Sequence, residues 1–190
     1  MDIEKYKQAL LQKLYEPYKN CQQCPLGMLG RKNIVFGEGN PNSKLMLVGE
    51  GPGQKEDELC RPFVGRSGKL LTKTLEAIGL KREDVFITNV VKCRPPKNRK
   101  PLPNESETCT KLFLFKQIKI IRPKVICTLG AAATQAFLHK DAKITKIRGQ
   151  IIEQKEFLLI PTYHPAYILR NNREFKNFAN DIKLAKKHSS

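Results

Sequence analysis

The sequence predicts an α/β fold in which helices cover both faces of a parallel sheet. Short apolar runs alternate along the chain with segments of helical periodicity, and this alternation is typical of parallel sheets. The chain has 190 residues, 40% of them hydrophobic and 7% aromatic. That suits one domain with a substantial core, since single domains commonly hold about 100–200 residues. We therefore expect residues 1–190 to form a single domain.

The predicted elements follow one another in a regular order. Residues 2–19 carry apolar side chains at helical spacing, which predicts an amphipathic N-terminal helix. The apolar run 45–48 leads into the glycine-rich segment 49–53, which predicts a buried strand followed by a tight loop. The alternation continues with a helix near 66–79, a strand at 85–91, a helix near 104–121, a strand at 125–129, a helix near 130–138 and a strand at 157–160.

Polar residues stand where the predicted strands end. Glu50 follows the first strand, Asn89 lies within the end of the second, Gly130 follows the third, and Tyr163 and His164 follow the fourth. Because ligands of open parallel sheets bind outside the carboxyl ends of the strands, these positions are the first candidates for a functional site.

The chain is strongly basic, with 35 Lys and Arg against 18 Asp and Glu and a net charge of +17. A polyanionic partner such as nucleic acid is one explanation, and general solubility is the other. Residues 92–100 hold five basic residues and no acid, beside prolines that prevent a regular helix. A stiff basic loop of this kind suits contacts with phosphates.

Nothing in the sequence predicts a membrane segment. The apolar run 157–161 is far shorter than the roughly 20 apolar residues that cross a bilayer. Residues 1–20 carry charges throughout and lack the apolar stretch of a secretory signal. We expect an intracellular, cytoplasmic protein that does not bind membranes.

Six cysteines in such a chain are not interpreted as disulfides first. Cys21 and Cys24 form a CxxC pair, and fifteen residues separate Cys93 from Cys109. A redox dithiol and unrelated cysteines are open alternatives, and four thiolates could hold either a zinc ion or an iron–sulfur cluster. Cys127 lies in an apolar strand and is expected in the core.

Several motifs, taken in their order and spacing, resemble the family 4 uracil-DNA glycosylases, the iron–sulfur branch of the uracil glycosylase superfamily. They span nearly the whole chain and comprise CxxCPLG at 21–27, GEGPGQKED at 49–57, RPFVGRSG at 61–68, TNVVKCRPPKNR at 88–99, the spaced cysteine at 109, LG at 129–130 and HPAYILR at 164–170. The resemblance implies a four-stranded parallel sheet and an enzyme that removes uracil from DNA. It also implies a [4Fe–4S] cluster on Cys21, Cys24, Cys93 and Cys109.

The resemblance also implies roles for the pocket residues. Phe63 would stack on uracil, and the Asn89 amide would read the edge of the base; a core aromatic and a strand-end residue are the alternatives. His164 is held by Pro165 in an extended backbone and would donate to uracil O2 as charge develops on the leaving base. Glu50, in the loop after the first strand, could position the attacking water or stabilise the cationic sugar by its charge.

The neighbours of these residues have subsidiary roles. Glu56 and Asp57 lie close enough in sequence to share the task of Glu50, and Asp57 is a candidate for substrate binding. Gly51 and Gly53 would let main-chain amides approach the base and phosphate.

DNA contacts are expected from two segments. Arg94, Lys97 and Arg99 of the basic loop would bind phosphates. After His164, Ile168 or Leu169 would insert into the base stack and Arg170 would hold a phosphate; a helix packing on the core is the competing interpretation of this segment.

The expected partner is uracil-containing DNA, double-stranded, with single strands also admitted, and we expect a monomer. A sliding-clamp partner cannot be deduced from the sequence. The alternative function is a non-catalytic nucleic-acid-binding module with a structural four-cysteine metal site, which would not need the pocket residues.

Overall fold

The computed structural model describes residues 2–138 and 143–190. Within them, the centre of the molecule is a sheet with strand order β1-β3-β2-β4-β6-β5. In chain order the six strands are β1 Glu38–Gly39, β2 Leu45–Gly49, β3 Phe86–Asn89, β4 Val125–Leu129, β5 Ile152–Glu153 and β6 Leu158–Thr162.

The four inner strands are parallel, and the two outer strands are antiparallel to their neighbours. The α/β class and the parallel core are therefore confirmed, whereas the expected number of four strands is corrected to six. The two additional strands, β1 and β5, are only two residues long, too short for a periodic pattern in the sequence to reveal them.

Helices connect the strands and cover the sheet. They are α1 Ile3–Tyr15, α2 Gln54–Leu59, α3 Arg66–Ala77, α4 Pro103–Cys109, α5 Phe115–Ile121, α6 Ala131–Leu138, α7 Ile144–Ile147, α8 Pro165–Arg170 and α9 Phe175–Ser189. The expected helix near 104–121 is interrupted, because a π-helical turn at Thr110–Leu114 joins α4 to α5. This turn begins directly after Cys109, and such turns often occur at functional sites.

Helix α9 was not predicted. Its buried positions are Phe178, Asp181, Ile182, Ala185 and Ser189, which are spaced as one face of a helix. The buried aspartate interrupts the apolar stripe, so the periodicity was present in the sequence but partly hidden.

Side chains alternate between two cores, one on each face of the sheet. On β2, Met46 and Val48 join the core that contains Phe113 and Ile118, while Leu45 and Leu47 join the opposite core with Leu71, Phe178 and Ile182. Cys127 on β4 is fully buried in this second core, as predicted. Among the described residues no helix is both long enough and apolar enough to cross a bilayer.

Candidate active site

A cavity of about 520 Å³ opens at the carboxyl ends of β2, β3 and β6. It is the place that the parallel sheet predicts for a ligand. The cavity is lined by Glu50, Gly51, Pro52, Gly53, Glu56, Phe63, Ser67, Asn89, Pro95, Asn98, Arg99, Pro101, His164, Ala166, Tyr167 and Arg170. A second cavity of about 580 Å³ shares Glu50 but contains neither Phe63, Asn89 nor His164.

Asn89, the last residue of β3, brings an unpaired amide to this cavity. The residue is only 1% exposed, yet neither Oδ1 nor Nδ2 has a hydrogen-bond partner in the described part of the chain. A buried amide without partners costs free energy unless a ligand satisfies it. The main chain of Asn89 is held firmly, since its carbonyl accepts a 2.6 Å hydrogen bond from Lys92 Nζ.

Lys92 itself is fully buried. Its Nζ also donates to Thr88 Oγ1 at 2.6 Å and to Gln117 Oε1 at 2.8 Å, so three acceptors surround the amine. Its main-chain N–H donates to Cys109 Sγ at 3.3 Å. One residue therefore connects the cysteines to the strand that ends in Asn89. The sequence places Lys92 among the five basic residues of the loop predicted to contact phosphates, and its complete burial corrects that prediction for this residue.

Phe63 lies across the cavity from His164, with ring centroids 5.8 Å apart and planes inclined at 35°. A glycine makes room for it: a Cβ at Gly49 would lie 2.4 Å from Phe63 Cζ and 2.4 Å from Asn89 Oδ1. Only glycine at the end of β2 therefore lets the ring and the amide meet.

His164 is the N-cap of α8, and its Nδ1 accepts the Ala166 N–H at 3.1 Å. With Nδ1 as the acceptor, a neutral ring carries its proton on Nε2. Burial, with a smaller contribution from the charge of Arg170, lowers the pKa of His164 to about 4. The imidazole is therefore a neutral donor at physiological pH.

The three acidic candidates differ in their environments. Asp57 is buried away from the cavity, where its carboxylate accepts the Lys32 and Asn33 N–H groups at 3.0 Å, so it supports a loop. Glu56 lines the cavity, but its Oε1 accepts the N–H groups of Val64 and Gly65.

Glu50 is the remaining acid. No group in the described part of the chain hydrogen-bonds to its carboxylate, and burial raises its pKa while Lys100 opposes that shift. It is the cavity carboxylate left available for a water molecule.

Gly51 and Gly53 both line the cavity. An added Cβ would lie 2.7 Å from Val91 Cγ2 at Gly51 and 2.8 Å from Glu56 Oε2 at Gly53. The loop after β2 therefore needs small residues at both positions.

The basic loop is partly committed to internal contacts. Arg99 pairs with the buried Glu105 through hydrogen bonds of 2.7 and 2.8 Å, and Arg94 Nε donates to Asn98 Oδ1 at 2.8 Å. Lys97 is exposed at a left-handed turn (φ 52°). Of the three expected phosphate contacts, Lys97 is the most accessible.

The segment after His164 forms the short helix α8. Ile168 is 1% exposed and belongs to the core, whereas Leu169 is 45% exposed. Arg170 is exposed at the rim of the cavity. The two interpretations of this segment are thus combined, with Ile168 packing the helix and Leu169 free to contact DNA.

The four spaced cysteines lie in one region. Burial raises the pKa of Cys93 to about 12, and the charges of Cys109, Cys24 and Cys21 act in the same direction while Arg31 opposes them. Burial likewise raises the pKa of Cys109 to about 11. Buried thiols in this proximity would ionise only with a cationic partner.

Arg31 lies beside these cysteines. Its Nη2 donates to the Cys21 carbonyl at 2.9 Å, and its Nε is buried with no partner in the described residues. Those residues contain no group of three or more ligating side chains placed around one metal ion. Four cysteine thiolates are a donor set that suits both a zinc ion and an iron–sulfur cluster.

The site also contains residues for which the sequence predicted no place in the pocket. Ser67, Asn98 and Tyr167 all line the cavity. Each lies inside one of the motifs quoted above, and membership of a motif is the sequence feature that could have placed it at the site.

The cavity at the carboxyl edge of the parallel sheet combines a planar ring, an unpaired amide and a neutral imidazole. These groups are typical of a class of proteins whose pocket binds a flat heterocycle. The model of the Uracil DNA glycosylase superfamily matches residues 36–185, and the chain belongs to this superfamily. It is 48% identical over 186 residues, 95% of both chains, to the type-4 uracil-DNA glycosylase of Thermotoga maritima.

The type-4 uracil-DNA glycosylase of Sulfurisphaera tokodaii is 46% identical over 182 residues, which cover 91% of this chain and 82% of the relative. The type-5 uracil-DNA glycosylase of Pyrobaculum aerophilum is 30% identical over 145 residues, 67% of this chain and 63% of its own. The resemblance to family 4 is thereby confirmed.

Proposed function

We propose that the protein flips deoxyuridine out of DNA and hydrolyses its N-glycosidic bond, releasing uracil and leaving an abasic site. The observation that carries this proposal is the Asn89 amide, buried beside Phe63 and His164 without a hydrogen-bond partner among the residues that the structure describes. Both amide atoms need a ligand with one donor and one acceptor side by side.

Uracil offers that combination. Asn89 Oδ1 would accept from uracil N3–H while Nδ2 donates to O4. Cytosine presents the opposite pattern at these two positions, so the same amide orientation would leave buried polar atoms unpaired. The Phe63 ring would stack on the base and exclude water from one face.

His164 would act on the leaving base. As the bond to the sugar breaks, negative charge develops on uracil O2, and the neutral Nε2–H would donate to it. A donor fixed by the Ala166 N–H needs no reorientation during the reaction, which is the source of electrostatic stabilisation in such sites.

Glu50 would orient the attacking water and stabilise the positive charge that develops on the sugar. The other two acids are engaged with main-chain N–H groups, which is why we assign the role to Glu50. The glycine loop at Gly51 and Gly53 would bring main-chain amides close to the flipped nucleotide.

DNA would be held at the rim of the cavity. Leu169 is the exposed apolar side chain that would fill the gap left by the flipped nucleotide. Arg170, Lys97 and Arg94 would bind phosphates on either side. Flipping costs a few kcal/mol of stacking, and these contacts offset that cost.

We also propose that Cys21, Cys24, Cys93 and Cys109 hold a [4Fe–4S] cluster. When bound, the cluster would supply a structural link, since base excision by hydrolysis transfers no electrons. It would join the N-terminal segment to the basic loop 92–100, and the Lys92 N–H on Cys109 would extend that link to β3.

The glycosylase activity is tested with duplexes that carry a single uracil or, as a match, thymine. We expect alkali-labile sites in the uracil strand alone. Asn89→Ala should abolish them, while Asn180→Ala, which removes an exposed amide on α9, should not. DNA binding with no cleavage by cluster-loaded protein would favour the alternative of a non-catalytic binding module.

The cluster is tested by iron and sulfide analysis of anaerobically purified protein. We expect four of each per chain, with broad visible absorbance, and their loss in Cys109→Ser. Cys127→Ser is the matched control, since Cys127 lies in the opposite core. Bound zinc, or iron that survives Cys109→Ser, would contradict the assignment.

A further inference from the structure

The backbone of Phe63 has a left-handed conformation, with φ 51°. Aromatic residues rarely adopt this conformation, because Cβ approaches the following carbonyl oxygen. Such a conformation persists only where the surrounding structure imposes it. The contacts that hold the turn around Phe63 therefore decide where the ring of the pocket lies.

Arg82 makes those contacts from outside the cavity. It begins the 3-10 turn Arg82–Asp84 before β3. Its Nη1 donates to the Phe63 carbonyl at 3.0 Å, and its Nη2 donates to the Pro62 carbonyl. The same Nη1 lies 3.3 Å from Thr72 Oγ1 on α3. The fork of one guanidinium thus holds two consecutive carbonyls of the turn.

Glu38 orients the guanidinium from its far side. Its Oε1 accepts from Arg82 Nε at 2.7 Å, while its other oxygen, Oε2, accepts from Arg61 Nε at 2.7 Å. Arg82 is 15% exposed and Arg61 is 58% exposed. The two arginines therefore share one carboxylate, but only Arg82 reaches the turn.

A carboxylate binds the main chain of the two residues that follow Phe63 in the turn. Glu56 Oε1 accepts the N–H groups of Val64 and Gly65 at 3.0 and 2.7 Å. A guanidinium thus binds the carbonyls of Pro62 and Phe63, and a carboxylate binds the N–H groups of the two residues that follow. Glu56 lines the cavity, whereas Arg82 does not.

We propose that Arg82 is a positioning residue which sets the stacking plane of Phe63 and, through it, the affinity of the pocket for uracil. This inference rests on the proposed function. Arg82 does not line the cavity and contacts Phe63 only at its main-chain carbonyl, so its effect must pass through the turn 62–65. Lysine could keep an ion pair with Glu38, but a single ammonium cannot reproduce the planar fork.

The test is a double-mutant cycle between Arg82→Lys and Phe63→Leu. We expect Arg82→Lys to lower kcat/KM for uracil release and to weaken inhibition by free uracil, each by about tenfold, part of what base stacking contributes. In the Phe63→Leu background the same change should have little further effect. Arg122→Lys, an exposed arginine just before β4 at the opposite end of the strands, is the matched control and should stay close to the wild type.

Two results would overturn the proposal: equal losses from Arg82→Lys with and without the Phe63 ring, or full activity and uracil affinity in Arg82→Lys. If Arg82→Lys does not fold, Glu38→Gln replaces it in the same cycle, because it removes the carboxylate that orients the Arg82 guanidinium. Additive losses in that cycle also overturn the proposal. A wild-type protein that releases no uracil defeats the proposed function itself, whereas an active wild type with additive losses defeats only the role of Arg82.

Discussion

At the scale of single residues, His164 gives the clearest pH prediction. Its folded-state pKa of about 4 lies below the ordinary value of 6.5, so the unfolded chain binds the proton first as the pH falls. The stability contributed by the neutral ring is therefore complete above about pH 6.5 and is lost as the pH falls towards 4.

We expect nitrogen NMR of the imidazole to find one proton on Nε2 at pH 7 and no titration until the pH approaches 4. Burial keeps the pKa low, and the Ala166 N–H, which occupies Nδ1, places the proton on Nε2. A ring that titrates near its ordinary value, or that carries its proton on Nδ1, would contradict the role of a neutral donor.

Glu50 should set the acid limb of activity, because a water-positioning carboxylate must be ionised and burial raises its pKa above 4.5. Single-turnover rates should fall as the pH drops through that raised value. Glu50→Gln should remove this limb and lower the rate by about a hundredfold, the lower range for general bases. Glu58→Gln, a carboxylate of α2 that does not line the cavity, should leave the profile unchanged.

At the scale of elements, two adjacent residues of α8 have different predicted roles. Ile168 packs in the core, and Leu169 is expected to contact DNA. Ile168→Ala should cost about 2–4 kcal/mol of stability, since it empties a core position. Leu169→Ala should leave the melting temperature unchanged and slow uracil release from duplex DNA more than from single strands, where no gap must be filled. Thermal melts and paired substrates measure both, and equal slowing on both substrates would argue against a wedge.

An ion pair between Arg148, at the end of α7, and Asp181 holds α9, and a hydrogen bond from Thr162 adds β6. Asp181 is 2% exposed and accepts from Thr162 Oγ1 at 2.7 Å and from Arg148 Nε at 2.8 Å. Asp181→Asn should lower the free energy of unfolding by about 3 kcal/mol, because it leaves a guanidinium without its partner. Urea denaturation measures this loss, and Glu76→Gln, an exposed carboxylate of α3, should be neutral. A loss below about 1 kcal/mol, the level of a surface pair, would mean that α9 is held by packing alone.

The structure also explains which elements the sequence could predict. The inner strands were found because each is an apolar run between turn residues. Helix α9 was missed because Asp181 stands in its buried stripe, and the meaning of that residue depends on Arg148, 33 positions earlier. A partner so distant in sequence leaves no local pattern.

The same contrast holds within the site. Asn89 and His164 were predicted because they follow strands, and their motifs were recognised. The left-handed turn at Phe63 and the buried Lys92 were not predicted, because both depend on contacts between separate segments. Ile168 and Leu169 were equivalent in the sequence, and only packing distinguishes them.

At the scale of the whole molecule, the net charge of +17 predicts binding that weakens steeply with salt. Each neutralised phosphate contributes about −0.9 to the slope of log K against log salt. Lys97→Ala and Arg170→Ala should each reduce that slope by about one unit, whereas Lys183→Ala on α9 should not. Arg99→Ala should change it little, because Glu105 already pairs with that guanidinium. Titrations of labelled DNA at several salt concentrations provide the slopes.

The two-residue strands at the margins of the sheet have a consequence for how the protein behaves in a crowded solution. Outer strands with long rows of free N–H and C=O groups invite pairing with other chains. Here β1 and β5 run antiparallel to their neighbours and end after two residues, so a further strand would find almost no template on either side. We therefore expect the edges of the sheet not to promote aggregation where many copies of the protein gather on DNA.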